Sequence, residues 1–99
     1  MDWIRIPPLN SLRAFAAVAE TGSFKKAAEK LNVTHAAVSQ QVKLLEDRVG
    51  VPLVTKHGRG ILLTHQGRQL AQDVDAGFSM VERGIARLAS EAAEQPVHV

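Results

Sequence analysis

Residues 22–50, GSFKKAAEKLNVTHAAVSQQVKLLEDRVG, carry two helical patterns separated only by Asn32-Val33. In the first, Phe24, Ala27, Ala28 and Leu31 fall at i, i+3, i+4 and i+7, which is one face of a helix. That helix is only about two turns long, and a helix so short does not persist alone in water. It must pack on a neighbour, and the nearest begins almost at once. Ser23 can cap the first pattern and Thr34 the second. The second runs to about Val49, with Ala37, Val38, Val42, Leu45 and Val49 as its buried stripe, before Gly50 and Pro52 stop it. Two helices joined by so short a turn, the second amphipathic, form a helix-turn-helix unit.

The flanking segments extend this unit on both sides. Pro7 and Pro8 end an extended leader, and a helix is expected from Leu9 or Asn10, with Asn10 as its cap. Leu12, Phe15, Ala16 and Ala19 share one face of it, and Gly22 offers the stop. After the unit come two β-prone runs, residues 53–56 and 61–64, bracketing His57-Gly58-Arg59-Gly60 as a four-residue hairpin loop. Thr64 can cap a final helix that meets no proline before Pro96. The predicted order is helix, helix, helix, hairpin, long helix. This is a mainly α fold, a winged helix-turn-helix with a two-stranded β wing and a long C-terminal helix.

The exposed side of the third helix is unusual for a solvated face. His35, Ala36, Ser39, Gln40 and Lys43 follow i, i+1, i+4, i+5 and i+8 as one stripe opposite the buried one. The stripe is slim and nearly uncharged, and no Glu occurs between residues 34 and 45. In a helix-turn-helix unit the second helix enters the DNA major groove, and base edges present donors, acceptors and thymine methyls rather than net charge. Gln can bond adenine bidentately, Ser can bond several bases, and an Ala methyl can pack on thymine. Lys43 reaches either a base or a phosphate. The Gly-Arg-Gly tip of the hairpin suits a wing lying along DNA, with Arg59 able to enter a narrow minor groove.

Charge points the same way. Residues 1–68 hold ten Lys and Arg against five Asp and Glu, a balance of +5, whereas residues 69–99 carry −3. A basic front on an acidic back suits a polyanionic partner. Lys25, Lys26, Lys30, Lys43, Lys56, Arg59 and Arg68 are the cations expected to track phosphates. Cysteine is absent, which excludes disulfides and a cysteine-built zinc site. The histidines at 35, 57, 65 and 98 show no metal-ligand spacing, and no nucleophile–base set stands out, so neither an enzyme, a metal nor a cofactor is expected. No apolar run approaches the roughly 18 residues of a membrane span, and MDWIRIPPLN lacks the layout of a signal peptide. The expected location is the cytoplasm, with the nucleoid. The alternative function is a winged-helix protein-interaction or RNA-binding module, against which Trp3, Phe15, Phe24 and Phe78 fall in the leader or on apolar stripes rather than on a stacking platform.

In the long helix Gly67, Ala71, Val74, Phe78, Val81, Ile85, Leu88 and Ala92 recur at alternating spacings of four and three. That is a coiled-coil seam sustained over more than three heptads. The direction of pairing is not readable from it. Val74, Phe78, Val81, Ile85 and Leu88 are the expected dimer contacts; the competing reading has Leu70 and Val74 packing on the domain while the remainder awaits the missing C-terminal part.

PPLNSLRAFAAVAETGSFKKAAEKLNVTHAAVSQQVKLLEDRVGVPLV, then GRGILLT and Gly67, resembles the N-terminal domain of LysR-type transcriptional regulators. Its lead-in and VTHAAVSQQV look most like the subgroup of glycine-cleavage and β-lactamase activators. The resemblance implies a DNA-binding domain over residues 1–63, a linker and dimerisation helix over 64–90, and the start of an interdomain linker over 91–99, the effector-binding domain being absent. It implies antiparallel pairing of linker helices, promoter DNA as the partner, and a full-length protein that can be tetrameric and contact RNA polymerase. Ser23 and Thr34 become caps at the DNA, Thr34 as a phosphate contact; His35, Ala36, Ser39, Gln40 and Lys43 face the groove, and Lys56 and Arg59 belong to the wing. The chain also departs from the pattern. Ala36 stands where Pro is frequent and Gln40 where Arg is frequent, so base preference does not carry over from relatives. Val54-Thr55-Lys56 replaces a usual Phe-Glu/Arg-Arg in the wing.

Overall fold

The computed structural model describes residues 1–94. Helix α1, Leu9–Thr21, begins directly after Pro8. The Pro8 carbonyl accepts from the N–H groups of Ser11 and Leu12 at 3.0 and 3.3 Å. Pro8 thus serves as the first turn's cap residue without any side-chain bond, and Asn10 lies inside the helix instead of capping it. Helix α2, Phe24–Leu31, and helix α3, His35–Val49, are capped as expected. Ser23 Oγ accepts from Lys26 N at 3.1 Å and Thr34 Oγ1 from Ala37 N at 3.0 Å. Gly22, Asn32 and Gly50 take left-handed conformations at the three helix ends. Asn32 is the only non-glycine residue among those described with positive φ, a conformation its short polar side chain tolerates.

Helix α1 is the hub. It packs on α2 and α3 along one side and on the last helix along the other, which is why two of its faces are apolar. Ala14, Ala17 and Val18 face α2 and α3, in a cluster with Ala27, Ala28, Val38 and Val42. The expected stripe of Leu12, Phe15, Ala16 and Ala19 lies on the other side, and only Phe15 is fully buried there. Alanines at these crossings leave no side-chain bulk between the backbones, so the short α2 is held closely. Among the described residues Ser11 is the one buried polar residue, and its hydroxyl donates to Gln41 Oε1 of α3 at 2.9 Å.

A second cluster joins Phe15, Leu45 and Leu53. Leu53, 1% exposed, fills the place against α3 that the sequence assigned to Val49, which is 41% exposed. The chain reverses at Gly50, so the residue after the turn, rather than the last helical one, reaches the core. Strands β1, Val54–His57, and β2, Gly60–Leu63, pair antiparallel from Val54↔Leu63 to His57↔Gly60. The loop is therefore the two residues Gly58-Arg59, not the four expected. Gly58 has φ +59, and glycine at the first of two loop positions is the type II′ arrangement, whose twist matches the strands and lets pairing continue to the tip.

Helix α4 runs from His65 to Glu94, 30 residues, or about 45 Å at about 1.5 Å per residue. Thr64 caps it, accepting from Gly67 N at 3.0 Å. The helix continues through residues 91–94, which the sequence had assigned to a linker; residues 95–99 lie outside the described residues. Before α1, Trp3–Arg5 form one 3-10 turn capped by Asp2, and the Arg48 guanidinium donates to the Ile4 carbonyl, tying the leader to the end of α3.

Candidate nucleic-acid interface

The N-terminal half of α3 projects His35, Ala36, Ser39, Gln40 and Lys43 to the exterior, and all five are exposed. Their backbone is fixed from beneath by Val38, Val42 and Leu45, each essentially without solvent contact. The ridge's backbone is therefore held from the core side while its side chains stand exposed. His35 is steadied by Phe24 of α2, the two rings lying 5.7 Å apart at 46°. Lys43 holds Asp47 one turn later, Nζ to Oδ1 3.2 Å, with both side chains largely exposed.

Beside the ridge, the wing folds over the start of α2 and leaves a cleft of about 430 Å³. Ser23, Lys25, His35, Ser39, Lys56 and Arg59 line it, with Gly58 and Gly60 at the hairpin end. Three cations converge on this cleft and no carboxylate lines it. An anion that entered would meet three cations and no opposing carboxylate. The fold thus brings five of the candidate residues, Ser23, His35, Ser39, Lys56 and Arg59, to one cleft, with Lys25 as a sixth wall. Thr34, Ala36, Gln40 and Lys43 do not line it; they belong to the helix end and the ridge alongside.

The remaining cations divide. Lys30, expected to track phosphates, is instead ion-paired with Glu20 on α1. Both line a second groove of about 610 Å³ between α1 and α4, together with Asp75, Phe78 and Glu82. That groove is acidic, the reverse of the wing cleft. Arg68 donates to the Leu63 carbonyl at 3.2 Å, joining α4 to the end of β2.

Glu46 was legible only as a charge near the end of α3. It accepts from the Leu53 and Val54 N–H groups at 2.7 and 3.3 Å, so a carboxylate on α3 positions the first strand of the wing. The usable signal was its place one residue after Leu45, on the edge of the buried stripe. Along α4, Val74 is nearly covered by its own domain, whereas Phe78 is 37% exposed and Val81, Ile85 and Leu88 are 62–63% exposed. The inner end of the seam is occupied and the outer end is bare. Among the described residues no group of three or more His, Cys, Asp or Glu could hold a metal ion, and no helix is long and apolar enough to cross a membrane.

The family model for bacterial regulatory helix-turn-helix proteins of the lysR family matches residues 9–68. The chain belongs to the LysR family. The matched region of this LysR-family chain spans every candidate residue from Ser23 to Arg59 and stops short of the seam residues Val74 to Leu88. It is 46% identical over its whole length to the AhcY transcriptional activator HvrB of Rhodobacter capsulatus, covering 34% of that protein. Over 91% of the chain it is 43% identical to the glycine cleavage system transcriptional activator of Escherichia coli, covering 30% of it. The chain thus spans about a third of the length of the curated relatives it matches. Among solved structures, BenM_DBD in its catB site 1 DNA complex superposes with a TM-score of 0.79 at 30% identity, covering 92% of this chain and all of that one. CbnR_DBD in a DNA complex gives 0.74 at 31% identity, over 87% and 99% of the two chains. A mainly helical winged helix-turn-helix is the fold of this LysR-family domain.

Proposed function

We propose that this chain is the module by which a LysR-type regulator binds duplex promoter DNA in a sequence-specific manner, as a two-fold dimer. The observation that carries the proposal is the uncharged, exposed ridge of Ala36, Ser39 and Gln40 flanked by a cleft with three cations and no carboxylate. Charge alongside and neutrality on the ridge match the division between phosphates, which position, and base edges, which specify. In this reading the N-terminal half of α3 enters the major groove. Thr34 and Ser23 meet the backbone at helix N-termini, where N–H groups favour anions. Lys25 and Lys56 hold phosphates, and Arg59 enters the adjacent minor groove. The bare outer seam of α4, Phe78 to Leu88, covers itself with a second copy. The two reading helices then address half-sites about 34–36 Å apart, or a multiple of that. For the whole protein the proposal includes a cytoplasmic, nucleoid-associated location, higher assembly and contact with RNA polymerase.

Selection of bound fragments from a random duplex pool tests this directly and yields motif, symmetry and half-site spacing together. With about 6–10 phosphates neutralised per dimer, affinity should fall roughly 10³–10⁵-fold between about 50 and 200 mM salt. A nearly flat salt response, or structured RNA competing better than duplex DNA, would replace the reading with a protein- or RNA-binding winged helix.

A further inference from the structure

Three elements meet at the peptide of Leu53. Its N–H donates to Glu46 of α3 at 2.7 Å, and its carbonyl accepts from Thr64 N at 3.0 Å. The Thr64 hydroxyl donates to the Pro52 carbonyl at 2.8 Å while accepting from Gly67 N at 3.0 Å. Gly67, in the first turn of α4, lies against the same peptide. A Cβ at Gly67 would overlap the Leu53 carbonyl oxygen and stand 3.0 Å from its carbonyl carbon and 3.3 Å from its Cα. These are backbone atoms of a buried residue and cannot swing aside as a side chain would. Glycine weakens a helix interior relative to alanine, so its presence here answers to close approach rather than to helix formation.

We propose that this contact sets the angle at which α4 leaves the DNA-reading domain, making Gly67 a specificity-determining residue for half-site spacing. The inference rests on the dimer reading above, in which α4 carries both the contact and the symmetry axis. The leverage is large. Accommodating a methyl at Gly67 lifts the first turn by about 1 Å, and Val74, about 10 Å further along, is the next buried point of α4. The resulting tilt of roughly 5–6° displaces the middle of the exposed seam, about 14 Å beyond Val74, by about 1.4 Å, and two-fold symmetry doubles this to about 3 Å between half-sites. That is close to the roughly 3.4 Å rise of one base pair. No residue of the reading ridge is touched, so the half-site motif itself stays the same.

The test uses duplexes selected by the parent chain, rebuilt with the space between half-sites shortened or lengthened one base pair at a time. Gly67→Ala should bind an isolated half-site as the parent does and remain dimeric by sedimentation. On the parental spacing it should lose about tenfold or more in affinity, and recover most of it when about one base pair is inserted or removed. Thr64→Val removes the hydroxyl bonds without adding bulk at Gly67; it should flatten the spacing profile by loosening the same contact. It decides the matter if Gly67→Ala does not fold. A folded, dimeric variant of either kind that keeps the parental spacing profile overturns the proposal, as does a uniform loss of affinity at every spacing. A parent chain that is itself monomeric defeats the dimer reading beneath it, a distinguishable failure seen before any variant is made.

Discussion

Lys43 and Asp47 stand one turn apart on α3 and form an ion pair 3.2 Å long on the exposed side of that helix. The lysine is thus held by a carboxylate in the free protein, and that carboxylate would face the DNA backbone. Asp47→Asn should free Lys43 and remove a repulsion, improving duplex affinity by about 0.5–1 kcal/mol, roughly two- to fivefold, at low salt. Stability should move by no more than about 0.5 kcal/mol, because exposed i,i+4 pairs contribute little. Fluorescence anisotropy at two salt concentrations checks this, and an unchanged or weaker affinity would mean Lys43 does not approach the DNA.

The uncharged ridge makes a different demand. Gln40→Ala and Ser39→Ala should each cost about 1–3 kcal/mol on a selected site and far less on random duplex. Equal losses on both would show that these side chains do not read bases.

At the wing, Arg59 sits at the second loop position of a two-residue turn with no hydrogen bond or ion pair of its own among the described residues. Arg59→Ala should weaken binding most on sites with A·T-rich flanks, whose narrow minor groove attracts arginine. Its melting temperature should stay within the small range expected of surface substitutions. A drop in affinity that tracks a drop in melting temperature would reassign Arg59 to structure.

Glu46 should behave in the opposite sense. Glu46→Ala leaves the Leu53 and Val54 N–H groups without their acceptor and should destabilise the fold by about 1–3 kcal/mol in urea denaturation. Glu46→Gln, which keeps one acceptor oxygen, should lose less. A Glu46→Ala chain as stable as the parent would mean the two bonds are not formed in solution.

The exposed seam yields the fifth expectation. Phe78→Asp combined with Ile85→Asp would place four unpaired carboxylates at a self-associated seam, where burying them is prohibitive. The double variant should sediment as a monomer, lose tight binding to two-half-site duplexes and keep weak non-specific binding. A dimeric double variant would show that α4 does not associate through this face.

What was legible in the sequence follows the range of the interactions involved. Caps at Ser23, Thr34 and Thr64 were readable because each bonds an N–H three residues away. The helix-turn-helix order was readable because α2 is too short to exist unsupported. The cap at Asn10 failed because Pro8 already sets the first turn, and Val49 failed because the chain reverses and Leu53 takes its place. Lys30 and Glu46 were readable as charges but not as partners. Glu20 lies ten residues before Lys30, and the Leu53 peptide lies seven after Glu46, each across a bend that no local pattern describes. Of the candidate interface, the ridge on α3 was legible from periodicity, while the cleft shared by α2, α3 and the wing exists only in three dimensions. Lys25 was readable as a phosphate-tracking cation, but not its place in that cleft.

The ridge has an evolutionary consequence. Ala36, Ser39 and Gln40 are exposed, and none takes part in a side-chain hydrogen bond or ion pair among the described residues. Exposed positions free of such ties usually tolerate exchange at little energetic cost. The alanine-packed crossings beneath them, at Ala17, Ala27 and Ala28, have no such freedom, since added bulk would force the helices apart. On the proposed reading, a lineage built on this domain would exchange one binding site for another by changing a few surface letters, while the scaffold that presents them stays under constraint.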